Sequence, residues 1–272
     1  MNKKAFTLIE LLVVISIIAL LMSILMPSLG KAKKIAQNVI CKTNIKNYGI
    51  AGNVYMSDNG EKFPNPWNSI YDSSKAGGRD SMTFPDELQR YCRWHNSDYS
   101  LEKHPEYAGP FWAYLQNEKV NLCPIFKRLA KRRGIEHPQH DQSIGVEPQF
   151  GYSQNAFLGS TVFGGVLRSS NVLSTSRTFF FAEENMWTIN MSASGGTFSE
   201  NISSAALNDT ALVTRKNPQN ESEYNDAFAT FHSPKDGDHN LGSSNAVMMD
   251  GSVQVVEPFS DGTFRNAWPK SL

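Results

Sequence analysis

Glu10 is the one charged residue in the otherwise uncharged, largely apolar segment of residues 6–26. A charged side chain in a membrane-spanning helix costs about 2.5–3.5 kcal/mol at the bilayer centre and less near an interface, so such a carboxylate needs a partner. A cut between Ala5 and Phe6 would create an α-amine four residues before Glu10, or one that pairs with Glu10 of a neighbouring subunit. Either pairing neutralises the carboxylate. The sequence therefore predicts that Glu10 serves in subunit assembly.

The segment around this carboxylate is long enough to cross a membrane. Residues 6–26 form a run of 21 residues. As an α-helix such a run rises about 31 Å, close to the thickness of the hydrocarbon core of a bilayer.

Two other interpretations of this segment are a secretory signal and a simple uncleaved anchor. A secretory signal would be cut at the small residues of Ser28-Leu29-Gly30, but its apolar core has about 7–15 residues and this run is longer. For an anchor, two lysines precede the run and three follow it closely. The positive-inside rule alone would then leave the next domain in the cytoplasm, although large domains are often translocated despite their charge.

The sequence KKAFTLIELLVVISIIAL, residues 3–20, resembles the processing and methylation signal of type IV prepilins and type II secretion pseudopilins. The resemblance implies that a prepilin peptidase cuts before Phe6 and methylates its amine, and that Glu10 orders the subunits of a filament. Ala5 stands where that family usually has glycine, which implies slower cleavage. The implied partners are the peptidase, other pilin or pseudopilin subunits, membrane lipid and the assembly machinery of a bacterial inner membrane.

Helical spacing of apolar residues continues beyond Pro27. A proline inside a helix lacks an amide hydrogen and clashes one turn back, so a kink is predicted at Pro27. The expected element is one long bent helix over residues 6–56, as in pilins, with its amphipathic second half against a head domain. An independent amphipathic helix on a membrane surface is the alternative for that half. Its predicted apolar face consists of Ala32, Ile35, Ala36 and Val39, then Cys41, Ile45, Tyr48, Gly52 and Tyr55.

The sequence of residues 57–272 predicts an α+β head with an antiparallel sheet. Prolines near the expected helix starts and glycine after an expected helix end indicate short helices at residues 86–93, 110–118 and 124–133. Runs rich in β-branched and aromatic residues indicate strands at residues 161–168, 177–182, 227–232 and 245–256. The predicted organisation is a leader at 1–5, a transmembrane and assembly helix at 6–30, an amphipathic helix at 31–56 and a soluble head at 57–272.

The last predicted strand pair turns at Asp250-Gly251. Asp-Gly between apolar runs is typical of a hairpin with a type I′ turn, in which both central residues have positive φ. His239 is separated from Asp250-Gly251 by ten residues, and this element resembles the C-terminal element of a bacterial prepilin-like subfamily in which nine residues separate a His from an Asp-Gly. We interpret His239 structurally, as bonding across the last hairpin, because turn chemistry already accounts for Asp250 and Gly251.

Three oxygen donors alternate at Asp236, Asp238 and Asn240. Calcium loops use such a spacing, so Ca²⁺ is a candidate ligand here. Against it, Leu241 occupies the position where such a loop requires glycine, and no glutamate closes a twelve-residue loop.

Three cysteines are present, at Cys41, Cys92 and Cys123. On the oxidising side of a bacterial inner membrane a disulfide is possible. The predicted pair is Cys92 with Cys123, which leaves Cys41 on the helix, and three unlinked thiols are the alternative. The spacing matches no zinc motif.

Basic and acidic residues balance at 26 each, so no global attraction to nucleic acid is expected. Residues 127–133 carry five cations. We interpret them as a solvated helix face whose cations lie near the helix C-terminus; DNA or an acidic polysaccharide is the alternative ligand. No catalytic motif indicates an enzyme.

Two functions remain open. The first is a pilin-like or pseudopilin subunit, cleaved, methylated and added to a pilus or a type II secretion pseudopilus. The second is a membrane-anchored module whose extracytoplasmic head binds polysaccharide or another ligand. In both, the N-terminus is expected in the cytoplasm and the head in the periplasm.

Overall fold

The computed structural model describes residues 7–72, 101–133, 148–161, 164–184, 210–213, 216–217, 220–224, 228–239, 241–258 and 269. Its first element is a continuous 51-residue helix, α1, at Leu8–Asp58, with Pro27 inside it. The predicted long helix is thus confirmed, and the predicted kink at Pro27 stays a prediction. Helix α1 ends in a turn at which Gly60 has a φ of 61° and the Glu61 amide donates to the Met56 carbonyl at 2.8 Å.

The chain divides into two compact units, Met1–Val39 and Ile40–Leu272. In the first unit the apolar side chains of α1 are exposed, as Ile9 illustrates at 76%. An 18-residue window of α1 has a mean hydropathy of 2.9 with none of it buried. By length and composition this part of α1 can cross a membrane.

In the second unit, the C-terminal half of α1 is buried in the head. Its buried side chains include Cys41, Ile45, Tyr48 and Met56. The Tyr48 ring packs against Tyr152 and Phe181, with centroid distances of 5.3 and 5.2 Å. The predicted contact of this half with a head domain is confirmed.

The head contains a five-stranded sheet in the order β3-β1-β2-β6-β7 and a separate pair, β4 and β5. The large sheet is antiparallel except between β1 and β3, which are parallel. The strands of the large sheet are β1 at Tyr152–Asn155, β2 at Phe179–Glu183, β3 at Ala211–Leu212, β6 at Ser244–Met248 and β7 at Val253–Val256. The smaller pair is β4 at Lys216–Asn217 and β5 at Asn220–Tyr224.

Short helices precede the sheet. They are α2 at Trp112–Leu115 and α3 at Pro124–Arg133, with 3₁₀ turns at Pro105–Tyr107 and Glu118–Asn121; a third 3₁₀ turn, Ser169–Asn171, lies between β1 and β2. Helix α3 has the predicted bounds because proline suits a first helical turn, where its missing amide costs no hydrogen bond. Helix α2 is shorter than predicted, since Gln116 adopts a left-handed φ of 37° and ends it. The predicted helix at 86–93 lies outside the described residues.

Several strand predictions were wrong. Residues 161 and 164–168 contain no strand and pair through single bridges at Val166 and Arg168. Of the predicted strand at 227–232, the described residues make single bridges at Phe228 and His232. Strand β1 was missed because all four of its residues are buried, three of them polar, and a strand buried on both faces lacks the alternating pattern. The predicted antiparallel pairing is confirmed for the other pairs of the large sheet, and the β1–β3 pair is parallel.

Two glycines bring α1 close to the sheet. A Cβ at Gly49 would meet Val247 of β6, and one at Gly52 would meet the ring of Phe180 of β2. Phe180 is fully buried and packs against the rings of Phe63 and Phe181, at 5.6 and 4.7 Å, so it has little room to move. Glycine at these positions lets the helix backbone approach the sheet.

Gly52→Ala should destabilise the protein by about 1–2 kcal/mol, because overpacking a tight core costs about 1–3 kcal/mol and the gain in helix propensity returns up to about 1 kcal/mol. Denaturant unfolding of the detergent-solubilised chain measures the change. Gly30→Ala is the matched control: Gly30 lies on the same helix, and no described atom comes within 4 Å of its Cβ position. Equal effects of the two substitutions would contradict the close approach at Gly52.

The hairpin of β6 and β7 is confirmed, but its predicted turn type was wrong. The Gly251 amide donates to the Met248 carbonyl at 2.9 Å, and the Met248 amide donates to the Ser252 carbonyl at 2.8 Å. Gly251 has a φ of 83°, whereas Asp250 is not among the residues with positive φ. This pattern is a type I turn followed by a left-handed glycine bulge, rather than a type I′ turn.

Gly251→Ala should destabilise the hairpin by about 1–2 kcal/mol, the cost of a left-handed conformation for a residue with a Cβ. No described atom lies within 4 Å of the Cβ position, so the cost is conformational rather than steric. Gly251→Asn should cost less, because asparagine tolerates this region. Thermal unfolding of both variants checks the order, and an Asn variant as unstable as the Ala variant would contradict it.

Candidate functional site

Glu10 forms a capping box with Thr7 at the start of α1. The Thr7 amide and hydroxyl donate to Glu10 Oε2 at 2.9 and 2.8 Å, and the Glu10 amide donates to Thr7 Oγ1 at 3.3 Å. Such a reciprocal pair satisfies amide groups that would otherwise lack partners at a helix N-terminus. The sequence reasoning missed it, although Thr-x-x-Glu before an apolar run is its known signature.

The capping box gives Glu10 a local partner within the single chain. Both hydrogen bonds from Thr7 to the Glu10 carboxylate are accepted by Oε2, so Oε1 can still accept from a positively charged group. Ala5 and Phe6, the predicted processing residues, lie outside the described residues. The predicted role of Glu10 in assembly stays a prediction.

A disulfide links Cys41 of α1 to Cys123, the residue before α3. The predicted Cys92–Cys123 pair was therefore wrong, and Cys92 lies outside the described residues. The prediction left Cys41 on the helix without a cysteine partner, whereas Cys41 is fully buried within the head and bonded to Cys123. The disulfide closes a sequence separation of 82 residues and fixes α1 to the segment that begins α3.

Two buried ionisable side chains lie beside this disulfide. His232 Nε2 is 2.8 Å from Glu183 Oε1 and 3.5 Å from Cys123 Sγ. Glu183 belongs to β2, and its other oxygen, Oε2, accepts from the Asn245 amide at 2.7 Å. His232 and Glu183 are 2% and 0% exposed. We call Cys41, Cys123, Glu183 and His232 the buried Cys-His-Glu cluster.

Tyr152 contacts the cluster through Cys41, and Tyr48 packs against Tyr152. The Tyr152 hydroxyl donates to the Cys41 carbonyl at 3.4 Å, and the Tyr48 hydroxyl donates to Asn121 Oδ1 at 2.6 Å. Burial, with the nearby Glu183 carboxylate and Tyr48 ring, raises the pKa of Tyr152 well above its usual range. Tyr152 therefore stays a neutral hydrogen-bond donor at physiological pH.

The predicted C-terminal residues lie in two places. His239 Nδ1 is 3.4 Å from the Phe231 carbonyl, and the Thr230 hydroxyl donates to the His239 carbonyl at 2.7 Å. Asp250 lies in the β6–β7 turn, where Oδ1 accepts from the Ser252 amide at 2.9 Å. Hydrogen bonds from Ser252 lower the pKa of Asp250 below its usual range. The sequence-based interpretation of Asp250 as a turn residue is confirmed, while the resemblance of this element to a subfamily stays a prediction.

The predicted calcium residues lie around a turn. Asp236 is exposed with a φ of 51°, and the Asp238 amide donates to the Lys235 carbonyl at 2.9 Å. Asn240 lies outside the described residues, so calcium binding stays a prediction. Among the described residues, the group of side chains with metal-ligand atoms close together is instead the buried Cys-His-Glu cluster.

The basic helix α3 has two faces. Phe126, Leu129 and Ala130 are buried in the core, whereas Lys127 and Arg128 are exposed. The described part of α3 thus has a solvated face of cations, as interpreted from the sequence.

Comparison with protein families finds that residues 1–26 match the prokaryotic N-terminal methylation motif. This match supports the resemblance of the N-terminal segment to a prepilin-type methylation signal. The matched residues include the exposed apolar start of α1, and the α+β head that follows a long helix is pilin-like. One apolar N-terminal helix with this motif is consistent with a single-pass membrane anchor. Comparisons with curated proteins and with solved structures find no match to this chain.

Peptide mapping under non-reducing conditions should recover Cys41 linked to Cys123, with Cys92 alkylated. Cys41→Ser should lower the free energy of unfolding by about 2–4 kcal/mol, because the loss of a disulfide frees a long loop in the unfolded chain. Cys92→Ser is the matched control and should leave stability nearly unchanged. Recovery of a Cys92–Cys123 peptide would contradict the observed pairing.

Proposed function

We propose that the chain is a pilin-like or pseudopilin subunit, which prepilin peptidase cuts between Ala5 and Phe6 and methylates, and which then assembles into a pilus or a type II secretion pseudopilus. The observation that carries this proposal is the methylation motif at residues 1–26, placed on a helix whose apolar side chains are exposed.

The exposed part of α1 supports a role in assembly. Its apolar side chains would remain in water in an isolated soluble chain, at a cost of about 25 cal/mol for each Å². Lipid covers them while the subunit is stored in the membrane, and the helices of neighbouring subunits cover them in a filament. Both environments require the uncharged run that surrounds Glu10.

Glu10 supplies the polar contact between subunits in this proposal. Within one chain, Oε2 accepts from Thr7. Oε1 then accepts from the methylated amine of Phe6 in a neighbouring subunit. Opposite charges in a medium of low dielectric attract strongly, so this pair favours one axial register of the helices and disfavours registers that leave Glu10 unpaired.

The disulfide supports an extracytoplasmic head. Disulfides persist in oxidising compartments such as the periplasm and are rare in the cytoplasm. The Cys41–Cys123 bond lies in the unit Ile40–Leu272. In the proposed orientation this unit is periplasmic, and the basic leader is cytoplasmic.

Co-expression with a prepilin peptidase tests the proposal. Mass spectrometry of the mature chain should find N-methylated Phe6 at its N-terminus. Glu10→Ala should leave cleavage intact and abolish incorporation into filaments, because the carboxylate acts after processing. A chain that assembles fully with Met1 still present, or a Glu10→Ala variant that assembles normally, would contradict the proposal.

Two controls sharpen this experiment. Thr7→Val removes the hydroxyl of the capping box and keeps the Glu10 carboxylate, so it should lower helix stability slightly and preserve assembly. Ala5→Gly restores the residue that prepilins usually have before the cut and should speed cleavage. A filament defect in Thr7→Val as severe as that in Glu10→Ala would assign the effect to helix capping rather than to contact between subunits.

A further inference from the structure

The buried Cys-His-Glu cluster contains more polar groups than a structural disulfide requires. A disulfide needs no histidine or carboxylate beside it, and buried ionisable groups are costly. His232 Nε2 and Glu183 Oε1 nevertheless face each other at 2.8 Å beside Cys123 Sγ, and both side chains are almost fully buried. The disulfide alone therefore does not explain why a histidine and a glutamate are buried beside it.

We propose that, once the Cys41–Cys123 bond is reduced, the buried Cys-His-Glu cluster binds a thiophilic divalent cation, for which Zn²⁺ is the probe. Two thiolates, an imidazole and a carboxylate are four side chains that zinc commonly takes as ligands. Each offers one ligand atom, and these atoms lie within 4.8 Å of one another.

The distances already approach those of a tetrahedral zinc site. With Zn–S near 2.3 Å and Zn–N near 2.0–2.1 Å, the nitrogen and sulfur ligands of one ion lie roughly 3.6 Å apart. His232 Nε2 and Cys123 Sγ are 3.5 Å apart. The bond from the Asn245 amide to Glu183 Oε2 orients the carboxylate so that Oε1 faces His232, which is the role that supporting hydrogen bonds play around metal ligands.

The disulfide and the metal exclude each other because zinc binds thiolates, not disulfide sulfurs. A dithiol reductant supplies two electrons, the S–S bond breaks, and the reductant becomes a disulfide. The two protein thiols then lose their protons to solvent as Zn²⁺ binds the sulfurs. Both the oxidised chain and the reduced, zinc-bound chain have α1 linked to the start of α3. In the zinc-bound chain the ion also links β2 and the segment that carries His232.

The test uses the full-length chain in detergent, reduced with a phosphine in the absence of oxygen, given Zn²⁺ and freed of excess metal. Zinc is then counted by elemental mass spectrometry, and folding is followed by circular dichroism. The reduced wild-type chain should hold one zinc per chain, and the oxidised chain none. Co²⁺ in place of Zn²⁺ should give the absorption of a tetrahedral site with thiolate ligands.

Matched variants locate the ion. Cys123→Ser should abolish zinc retention, and His232→Ala should weaken it by at least about tenfold, since even supporting residues of metal sites cost 10–100-fold. Cys92→Ser is the control and should retain one zinc. His140→Ala is a second control, because His137, His140 and Asp141 are other residues of metal-ligating types that are close in sequence, and this variant should also retain one zinc.

Three results would overturn the proposal. They are a reduced, folded wild-type chain without zinc, equal zinc in the oxidised and reduced chains, and full retention by Cys123→Ser. A reduced chain that loses its sheet signal and does not regain it with Zn²⁺ would also overturn it, because the ion would then fail to replace the disulfide.

Discussion

The burial of one half of a single helix is the interaction on which the rest of this structure depends. Helix α1 is continuous over 51 residues, yet its N-terminal part is exposed and apolar, while one face of its residues from Cys41 to Met56 lies in the core of the head. The head is not a domain attached to a helix, because the helix supplies part of its core. Tyr48, fully buried between Tyr152 and Phe181, shows how closely the two are packed.

Three kinds of contact hold α1 in the head: close packing at two glycines, a side-chain hydrogen bond and a disulfide. Glycine permits close approach at Gly49 and Gly52, and aromatic rings fill the space beside them. The Asn44 side chain donates to the Leu122 carbonyl at 3.0 Å, which satisfies backbone just before α3. The disulfide stabilises the fold mainly by lowering the conformational entropy of the unfolded chain, rather than by adding contact area. Separation of α1 from the head would have to break all three.

The sequence predicted the elements whose signals are local. The long helix, α3 and the last hairpin follow from hydrophobic periodicity, a proline at a first turn and an Asp-Gly pair. Prediction from the sequence failed where contacts between distant residues determine the structure. Strand β1 is fully buried and largely polar, so it carries no alternating pattern. The pairing of Cys123 with Cys41 depends on where α1 packs in the head. The contact between His232 and Glu183 joins residues that are 49 positions apart in the sequence. No local sequence pattern indicates either the disulfide pairing or this contact.

Hydrogen exchange of the detergent-solubilised, oxidised chain, followed by mass spectrometry, tests this account of α1 most directly. If the helix is part of the core of the head, the amides of residues 44–56 should exchange as slowly as those of β2 and β6, through global unfolding. Exchange of residues 44–56 that is much faster than that of β2 and β6, with the sheet still protected, would contradict the account.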